Sequence, residues 1–307
     1  MVVNKEIKAT ILIVTYNHAD YIAAAIESAL CQKTSFAVEI IVSEDASTDG
    51  TREIVRKIAA NRAGQIRLML SDQNLHSNEV VARGLRAAKG KYISLLDGDD
   101  YWTSQDKIQR QSEFLDTHSE CAAVFLNAKV AKGDEVTSHS WTPHSQMQFA
   151  DISEIWCGNP YATCTSMMRA SLVRGVPDWY ADFFPITDWP LYILCAEHGK
   201  LAFLDEDAAV YRLHAGGQFS SLPPRKRLDS MATFYRRMNA ALGFRHDRMA
   251  QEGASKYFFD WAVEYARKGQ RALAAACLTH CIRTGGLKAG FRTVDVLRLS
   301  AALWSGK

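Results

Sequence analysis

Asp97, Asp99 and Asp100 place three carboxylates within four residues, with only Gly98 between the first two. They directly follow Tyr92-Ile93-Ser94-Leu95-Leu96, an apolar run of the kind that forms a buried strand. Packed anions repel one another, at a cost on the order of a few kcal/mol when partly desolvated. A chain tolerates such crowding where a cation neutralises it. Mg²⁺ and Mn²⁺ take carboxylate oxygens and share a substrate's phosphates. The stretch therefore reads as a place where metal meets phosphate. The alternative is an acidic turn that caps the next helix.

The elements around this stretch decide what it can meet. Through the first 130 residues, short β-rich apolar runs alternate with helical stripes. The runs are Ile11–Val14, Val38–Val42, Ile66–Leu70, Tyr92–Leu96 and Cys121–Leu126. Helical spacing falls over 19–31, 51–62, 80–88 and 105–117. Such alternation predicts a mostly parallel sheet covered on both faces. Ligands of such sheets bind beyond the carboxyl ends of the strands. Four polar clusters fall there: Thr15-Tyr16-Asn17, Ser43 to Gly50, Asp72-Gln73-Asn74 and Asp97 to Asp100. One polar loop on that edge is ordinary, whereas four point to a site. For the second loop, capping by Thr48 or Asp49 of the helix near Thr51 remains an alternative.

Composition narrows the classes. The 307 residues are 48% hydrophobic, enough for a full core and for one large domain or two. A net charge of +2 gives no footprint for nucleic acid, so no such partner is expected. The seven cysteines form no CxxC pair and read as free thiols of a reducing compartment. Cys277 and Cys281 share a helix face and read as core. The polar start, Met1 to Glu6, leads straight into a strand, and no apolar run reaches the ~20 residues of a membrane helix. A cytoplasmic protein is expected, at most peripheral at the inner face of the membrane. The middle, 131–185, is irregular. Beyond Pro223-Pro224 helical stripes dominate, with a hairpin turning at Lys268-Gly269-Gln270. We expect one domain over 1–221, with halves at about 1–130 and 131–221, and a helical extension over 222–307.

The order of the clusters resembles glycosyltransferase family 2, the inverting, nucleotide-sugar-dependent enzymes of the GT-A fold. The resemblance covers about 8–220. It rests on Val14-Thr15-Tyr16-Asn17, Ser43 to Thr51, Ala87 to Ile93, Asp97-Gly98-Asp99-Asp100, Thr187-Asp188-Trp189-Pro190-Leu191 and Tyr211-Arg212-Leu213-His214. Each piece is weak alone, and the six in this order are specific. The family's second loop more often begins with a dipeptide other than Ser43-Glu44, but Asp45 stands in register. The implied fold is α/β: a Rossmann-like, doubly wound, mostly parallel sheet, followed here by the small helical region.

The resemblance also implies roles. Thr15, Tyr16 and Asn17 would line the nucleotide pocket, with Tyr16 against the base. Asp45 would accept a hydrogen bond from a pyrimidine N–H. Asp97, beside Gly98, would face the ribose or the nearer phosphate. Asp99 would bind a divalent metal, Mn²⁺ or Mg²⁺, and Asp100 would support the loop. Asp188 is the candidate base for the acceptor hydroxyl. It also reads as the N-cap of a helix with Pro190 in its first turn, and both roles are compatible. His214 would complete the metal shell, and Arg212 would contact phosphate. The other eight histidines show no ligand spacing. The implied donor is a nucleotide-diphosphate sugar, a UDP-sugar in first place. The implied acceptor is a glycan or lipid-linked saccharide of a bacterial surface polysaccharide. The basic, aromatic-interleaved stretch 225–248 would touch an anionic membrane, unless it is a solvated helix face.

Other classes fit less well. A dinucleotide-dependent oxidoreductase needs a glycine fingerprint after the first strand, where Thr15-Tyr16-Asn17-His18 stands instead. A sugar-nucleotide pyrophosphorylase would carry a Gly-rich phosphate loop there. An aspartyl phosphatase would carry its acidic pair there, not after the fourth strand. A catalytically inactive nucleotide-sugar-binding or scaffold protein of the same fold is the second reading.

Overall fold

The computed structural model describes residues 6–133, 135–144 and 148–284. Ten strands form one sheet: β1 (Ile7–Thr15), β2 (Ala37–Glu44), β3 (Ile66–Leu70), β4 (Tyr92–Asp97), β5 (Tyr101–Trp102), β6 (Cys121–Lys132), β7 (Glu135–Ser140), β8 (Phe149–Ala150), β9 (Ser166–Arg169) and β10 (Lys200–Leu213). The helices are α1 (Ile22–Leu30), α2 (Thr51–Asn61), α3 (Glu79–Ala87), α4 (Lys107–Thr117), α5 (Ile152–Cys157), α6 (Ala170–Val173), α7 (Trp189–Ala196), α8 (Pro224–Ala241), α9 (Asp247–Arg267) and α10 (Arg271–Arg283). The order across the sheet is β3-β2-β1-β4-β9-β6-β10-β5, with β7 on β6 and β8 on β10.

The continuous apolar runs become strands with both faces covered. Ile11, Leu12 and Ile13 of β1 are fully buried. Full burial of such a side chain is worth roughly 1.5–3 kcal/mol. Ile22, Ala25, Ile26 and Ala29 give α1 its buried face, as their spacing predicts. The parallel register pairs Leu12 with Ile41 of β2 and with Leu95 of β4. It also pairs Thr15 with Glu44 and Val14 with Asp97. The three loops that follow therefore leave the sheet at one level. This register is what brings the polar clusters to one rim.

The irregular middle departs from simple alternation. It supplies β9, which runs antiparallel between β4 and β6. The fifth apolar run extends to Lys132 and recruits β7 as an antiparallel neighbour. The chain forms two compact units. One comprises the chain up to Asp151 together with Pro160–Ser220, and the other comprises Ile152–Asn159 with the chain from Ser221 onward. The short α5 thus joins the tail helices instead of the sheet. In that second unit α9 lies against α5, and a Cβ at Gly253 would stand 2.2 Å from Trp156 O. Tyr235 donates to the same carbonyl at 3.1 Å. Cys277 and Cys281 are both buried in α10. No described helix is long and apolar enough to cross a membrane.

Beneath the acidic loop α4 begins with a fully buried lysine. Lys107 Nζ donates to Ser94 Oγ (2.9 Å) and Gln111 Oε1 (2.7 Å), 4.4 Å from the Trp102 ring centroid. Burial pushes this amine down to about 7. The unfolded chain keeps the proton up to the ordinary range near 10.5. Between these values the unfolded state binds more protons, so this residue makes stability rise with pH. Below about 7 both states are charged and its contribution is flat. Denaturant titrations between pH 6 and pH 10 should show wild type gaining stability relative to Lys107→Met, with a limiting slope of about 1.4 kcal/mol per pH unit. Parallel curves for the two proteins would show that the buried amine does not titrate in this window.

Candidate active site

The loop after β1 is held open by the loop after β2. Asn17 adopts a left-handed backbone (φ 55°). Its N–H donates to Ser47 Oγ (2.9 Å), and its Oδ1 accepts from Thr48 N (2.9 Å). His18 N donates to Thr51 Oγ1 (2.8 Å) and Ala19 N to Asp49 Oδ2 (3.0 Å). Asp49 Oδ1 also accepts from Thr51 N (3.0 Å) at the start of α2. The second polar cluster thus caps a helix and clamps its neighbour. Asp45, buried, turns toward the next loop. Its Oδ1 accepts from Ser71 Oγ (3.0 Å) and Leu75 N (3.1 Å). Arg83 braces that corner through Ser43 Oγ, Ser71 Oγ and the Glu44 and Met69 carbonyls. Tyr16 is half-buried on the loop after β1.

At the acidic loop the chains approach closely. Gly98 N donates to Val14 O (2.8 Å). A Cβ on Gly98 would lie 2.6 Å from Thr15 Oγ1 and 2.9 Å from His18 Nδ1, so only glycine fits. Thr15 Oγ1 in turn contacts His18 Nδ1 (3.3 Å). Beyond Gly98, Asp99 Oδ2 meets His214 Nε2 at 2.8 Å and His18 Nε2 at 3.7 Å. One donor atom from each of His18, Asp99 and His214 lies within 4.8 Å of the other two. Two imidazoles and a carboxylate converging from three strand ends suit a first-row divalent transition-metal ion. The residues present thus fit a metal.

His18 is the residue that sequence reasoning missed. It is close in the chain to neither Asp99 nor His214, so ligand spacing could not find it. Its signal was positional: it directly follows Thr15-Tyr16-Asn17 on the rim. Burial pushes the His18 imidazole down, against the pull of Asp99, which keeps it neutral and able to ligate. The Asp99 hydrogen bond pulls His214 up. Burial alone would raise the Asp99 carboxyl, but the His214 hydrogen bond and the two imidazoles outweigh it and hold it low. Gly216 N donates to His214 Nδ1 (3.2 Å), so Nε2 carries the proton toward Asp99. A cation held through Nε2 would require that proton on Nδ1, where the Gly216 N–H now points.

The other acids of the loop differ sharply from Asp99. Asp100 is buried, and its Oδ1 accepts from Arg212 N (2.8 Å). Burial, then the charges of Asp99 and Asp97, lift it well above the usual carboxylate range. It ties the loop to β10. Arg212 Nη1 donates to Asp99 O (2.5 Å), and its guanidinium lies near the rings of Tyr21 (5.1 Å) and Tyr101 (4.5 Å). Much of Arg212 is therefore engaged in building the loop. Asp97 is pushed up to about 8 by burial and by the charges of Asp99 and Asp188, against a Thr163 hydrogen bond. Asp188 caps α7, its Oδ1 accepting from Trp189 N (2.7 Å), and Thr163 Oγ1 donates to its Oδ2 (3.3 Å). Thr163 was also missed. It comes from the irregular middle, where no periodicity marks it.

The structure thus gathers Asp97, Gly98, Asp99, His214, Arg212 and Asp188 around one acidic focus, with Thr15 packed behind it. Asp45 belongs to the far end of the rim, across β1 and β2. Mn²⁺ titration by calorimetry should show tenfold or greater weakening in His18→Ala as well as in His214→Ala. Affinity should fall as pH drops through the raised His214 range, because a proton then competes for Nε2. Wild-type affinity in His18→Ala would remove that residue from the ligand set.

The family model for Glycosyl transferase family 2 matches residues 10–175. An uncharacterized protein of Mycobacterium tuberculosis is 33% identical over 212 residues, covering 69% of this chain and 60% of that protein. The chain thus spans about three fifths of that relative's length. The UDP-Glc:alpha-D-GlcNAc-diphosphoundecaprenol beta-1,3-glucosyltransferase WfaP of Escherichia coli is 41% identical over 110 residues, covering 35% of this chain and 41% of that one. Among solved structures, S. aureus TarS 1-349 in complex with UDP-GlcNAc aligns with TM-score 0.65 at 18% identity, over 98% and 93% of the two chains. The mannosyltransferase PcManGT from Pyrobaculum calidifontis, in complex with GDP-Man and Mn2+, aligns with TM-score 0.55 at 17% identity, over 99% and 89%. The fold is that of the GT-A glycosyltransferases, and with a family match over more than half its length the chain belongs to glycosyltransferase family 2.

Proposed function

We propose that the protein transfers one sugar, with inversion, from a nucleotide-diphosphate sugar to a hydroxyl of a glycan or lipid-linked saccharide during synthesis of a bacterial surface polysaccharide. A UDP-sugar is the favoured donor, because Asp45, whose buried carboxylate accepts from Ser71 Oγ and Leu75 N, keeps lone pairs that would accept from a pyrimidine N–H. In this reading about 1–130 hold the donor and 131–221 the acceptor, with 222–307 a separate helical extension. Tyr16 lies against the base, with Thr15 and Asn17 shaping the same wall. Asp97, which burial and its acidic neighbours push up to about 8 while no cation balances them, faces the ribose or the nearer phosphate. Mn²⁺ held by Asp99, His214 and His18 would neutralise charge on the diphosphate leaving group.

Asp188 carries the proposal. Its carboxylate sits within the electrostatic reach of Asp97 but on a different element, the start of α7. The Trp189 N–H fixes one oxygen. The other, which also accepts from Thr163 Oγ1 (3.3 Å), has the lone-pair capacity we assign to the proton of the acceptor hydroxyl. The hydroxyl oxygen attacks the anomeric carbon as the bond to the phosphate oxygen breaks. The electron pair leaves with the nucleoside diphosphate, and the single displacement inverts the centre.

The acceptor would be presented at the inner face of the cell membrane, placing the protein in the cytoplasm. Support comes from 225–248, where Arg225, Lys226, Arg227, Arg236 and Arg237 accompany Phe244, which is 61% exposed. Asn caps helices as well as Asp does. Asp188→Asn should therefore keep the fold and the donor affinity while losing 10²–10⁴-fold in kcat, on the order expected for a general base. Undiminished transfer by this variant would refute the base assignment. Donor binding by wild type without turnover over a broad acceptor panel would favour a binding or scaffold role.

A further inference from the structure

Trp141 is the one large aromatic side chain near the acidic rim that is exposed to solvent by more than a third (36%) among the described residues. It follows β7 and lies against Tyr211 of β10, ring centroids 4.5 Å apart and tilted by 48°. Tyr211 directly precedes Arg212, whose backbone N–H donates to Asp100 Oδ1 (2.8 Å). Burial and then the charges of Asp100, Asp97, Asp99 and Asp188 together raise its hydroxyl well above the ordinary range. One tyrosine thus feels all four carboxylates and carries an exposed indole on its flank.

The indole is held in place by an unusual buried device. Trp141 N donates to Ala128 O (2.7 Å). The next residue is gripped on both sides by Asn127, itself 1% exposed. Asn127 Nδ2 donates to Thr142 O (2.8 Å), and Asn127 Oδ1 accepts from Thr142 N (3.0 Å). Thr142 Oγ1 donates to Pro160 O (2.7 Å). A buried side-chain amide therefore does the work of a strand partner and fixes the backbone beneath the indole. Burying an amide so fully is costly unless its bonds are made, and here they are. The rigidity serves a ring that the core does not need, since its outer face meets water.

We propose that Trp141, backed by Tyr211, is the stacking platform for one pyranose ring of the acceptor saccharide. The inference rests on the glycosyltransferase reading given above. A pyranose offers an apolar C–H face and a polar hydroxyl edge, and an indole presents an apolar face with an N–H at its rim. The sheet order separates this platform from the donor side. The nucleotide residues follow β1, β2 and β4, whereas Trp141 returns beside β6, beyond β9. A ring seated on Trp141 would come to the carboxylates from the side opposite the base pocket. A fixed platform also needs no ordering when sugar arrives, so its contact appears directly as affinity.

The test uses two independent readouts on the full chain. Saturation-transfer NMR reports binding of a panel of two- to four-unit gluco-, galacto- and N-acetylglucosamine oligosaccharides. Calorimetry with UDP-sugars and Mn²⁺ reports the donor site. We expect Trp141→Ala to weaken oligosaccharide binding roughly tenfold, Trp141→Phe to restore most of it, and both variants to keep wild-type donor affinity. Equal oligosaccharide binding by wild type and Trp141→Ala overturns the platform, as does a wild type that binds UDP-sugar but no oligosaccharide of the panel. A donor affinity lost in both variants overturns it too, by marking Trp141 as part of the donor site. A wild type that binds oligosaccharide through Trp141 but no UDP-sugar would overturn the donor reading and leave the platform standing.

Discussion

Mutual repulsion among Asp97, Asp99, Asp100 and Asp188 is the constraint around which the rim is built. The four cannot all be charged in a buried focus without a cation. The protein's own answer is unequal. Asp99 stays charged because His214 and His18 face it. Asp97 and Asp100 are lifted toward the protonated state. Asp188 sits apart on α7, its carboxylate oriented by the helix it caps. A divalent ion at Asp99 would change that balance at once, since a positive charge favours every ionised carboxylate near it.

Holding anions this close demands a stiff frame. Gly98 lets the acidic loop press onto Thr15 and His18 with no side chain between. Arg212 spans Asp99 and Asp100 from β10, with backbone and guanidinium both engaged. Underneath, Lys107 and Gln111 fill the base of the loop with a buried polar network that reaches Ser94, Val124 and Thr165. Such networks are favourable only when every member is satisfied, and then they specify one geometry. Asn127 plays the same part for the segment that carries Trp141. Rigid support under a polar rim is what positioning a donor and an acceptor for displacement requires.

The division of labour along the rim follows from sheet order. Asp45 and its Ser71–Leu75 corner lie at the β2–β3 end. The histidines and Asp99 lie at the junction of β1, β4 and β10. Asp188, Thr163 and Trp141 come from segments inserted beyond β4, where the sheet turns antiparallel. A donor read at one end and an acceptor at the other would meet over Asp97 and Asp99.

The local signals in the chain determined the elements and the first four rim clusters. Period and composition are properties of neighbouring residues, and parallel strands with short polar returns leave little freedom at their carboxyl ends. The run before Asp97, the stripe of α1 and the N-cap at Asp188 were legible for that reason. Only the tertiary structure decided which distant side chains converge. His18 joined Asp99 and His214, Thr163 came between Asp97 and Asp188, and Arg212 reached the Asp99 carbonyl, because three strands and an irregular insertion converge there. The unequal protonation of three adjacent aspartates was equally invisible in the chain. Burial and through-space charge set it, and neither is encoded in the spacing of residues.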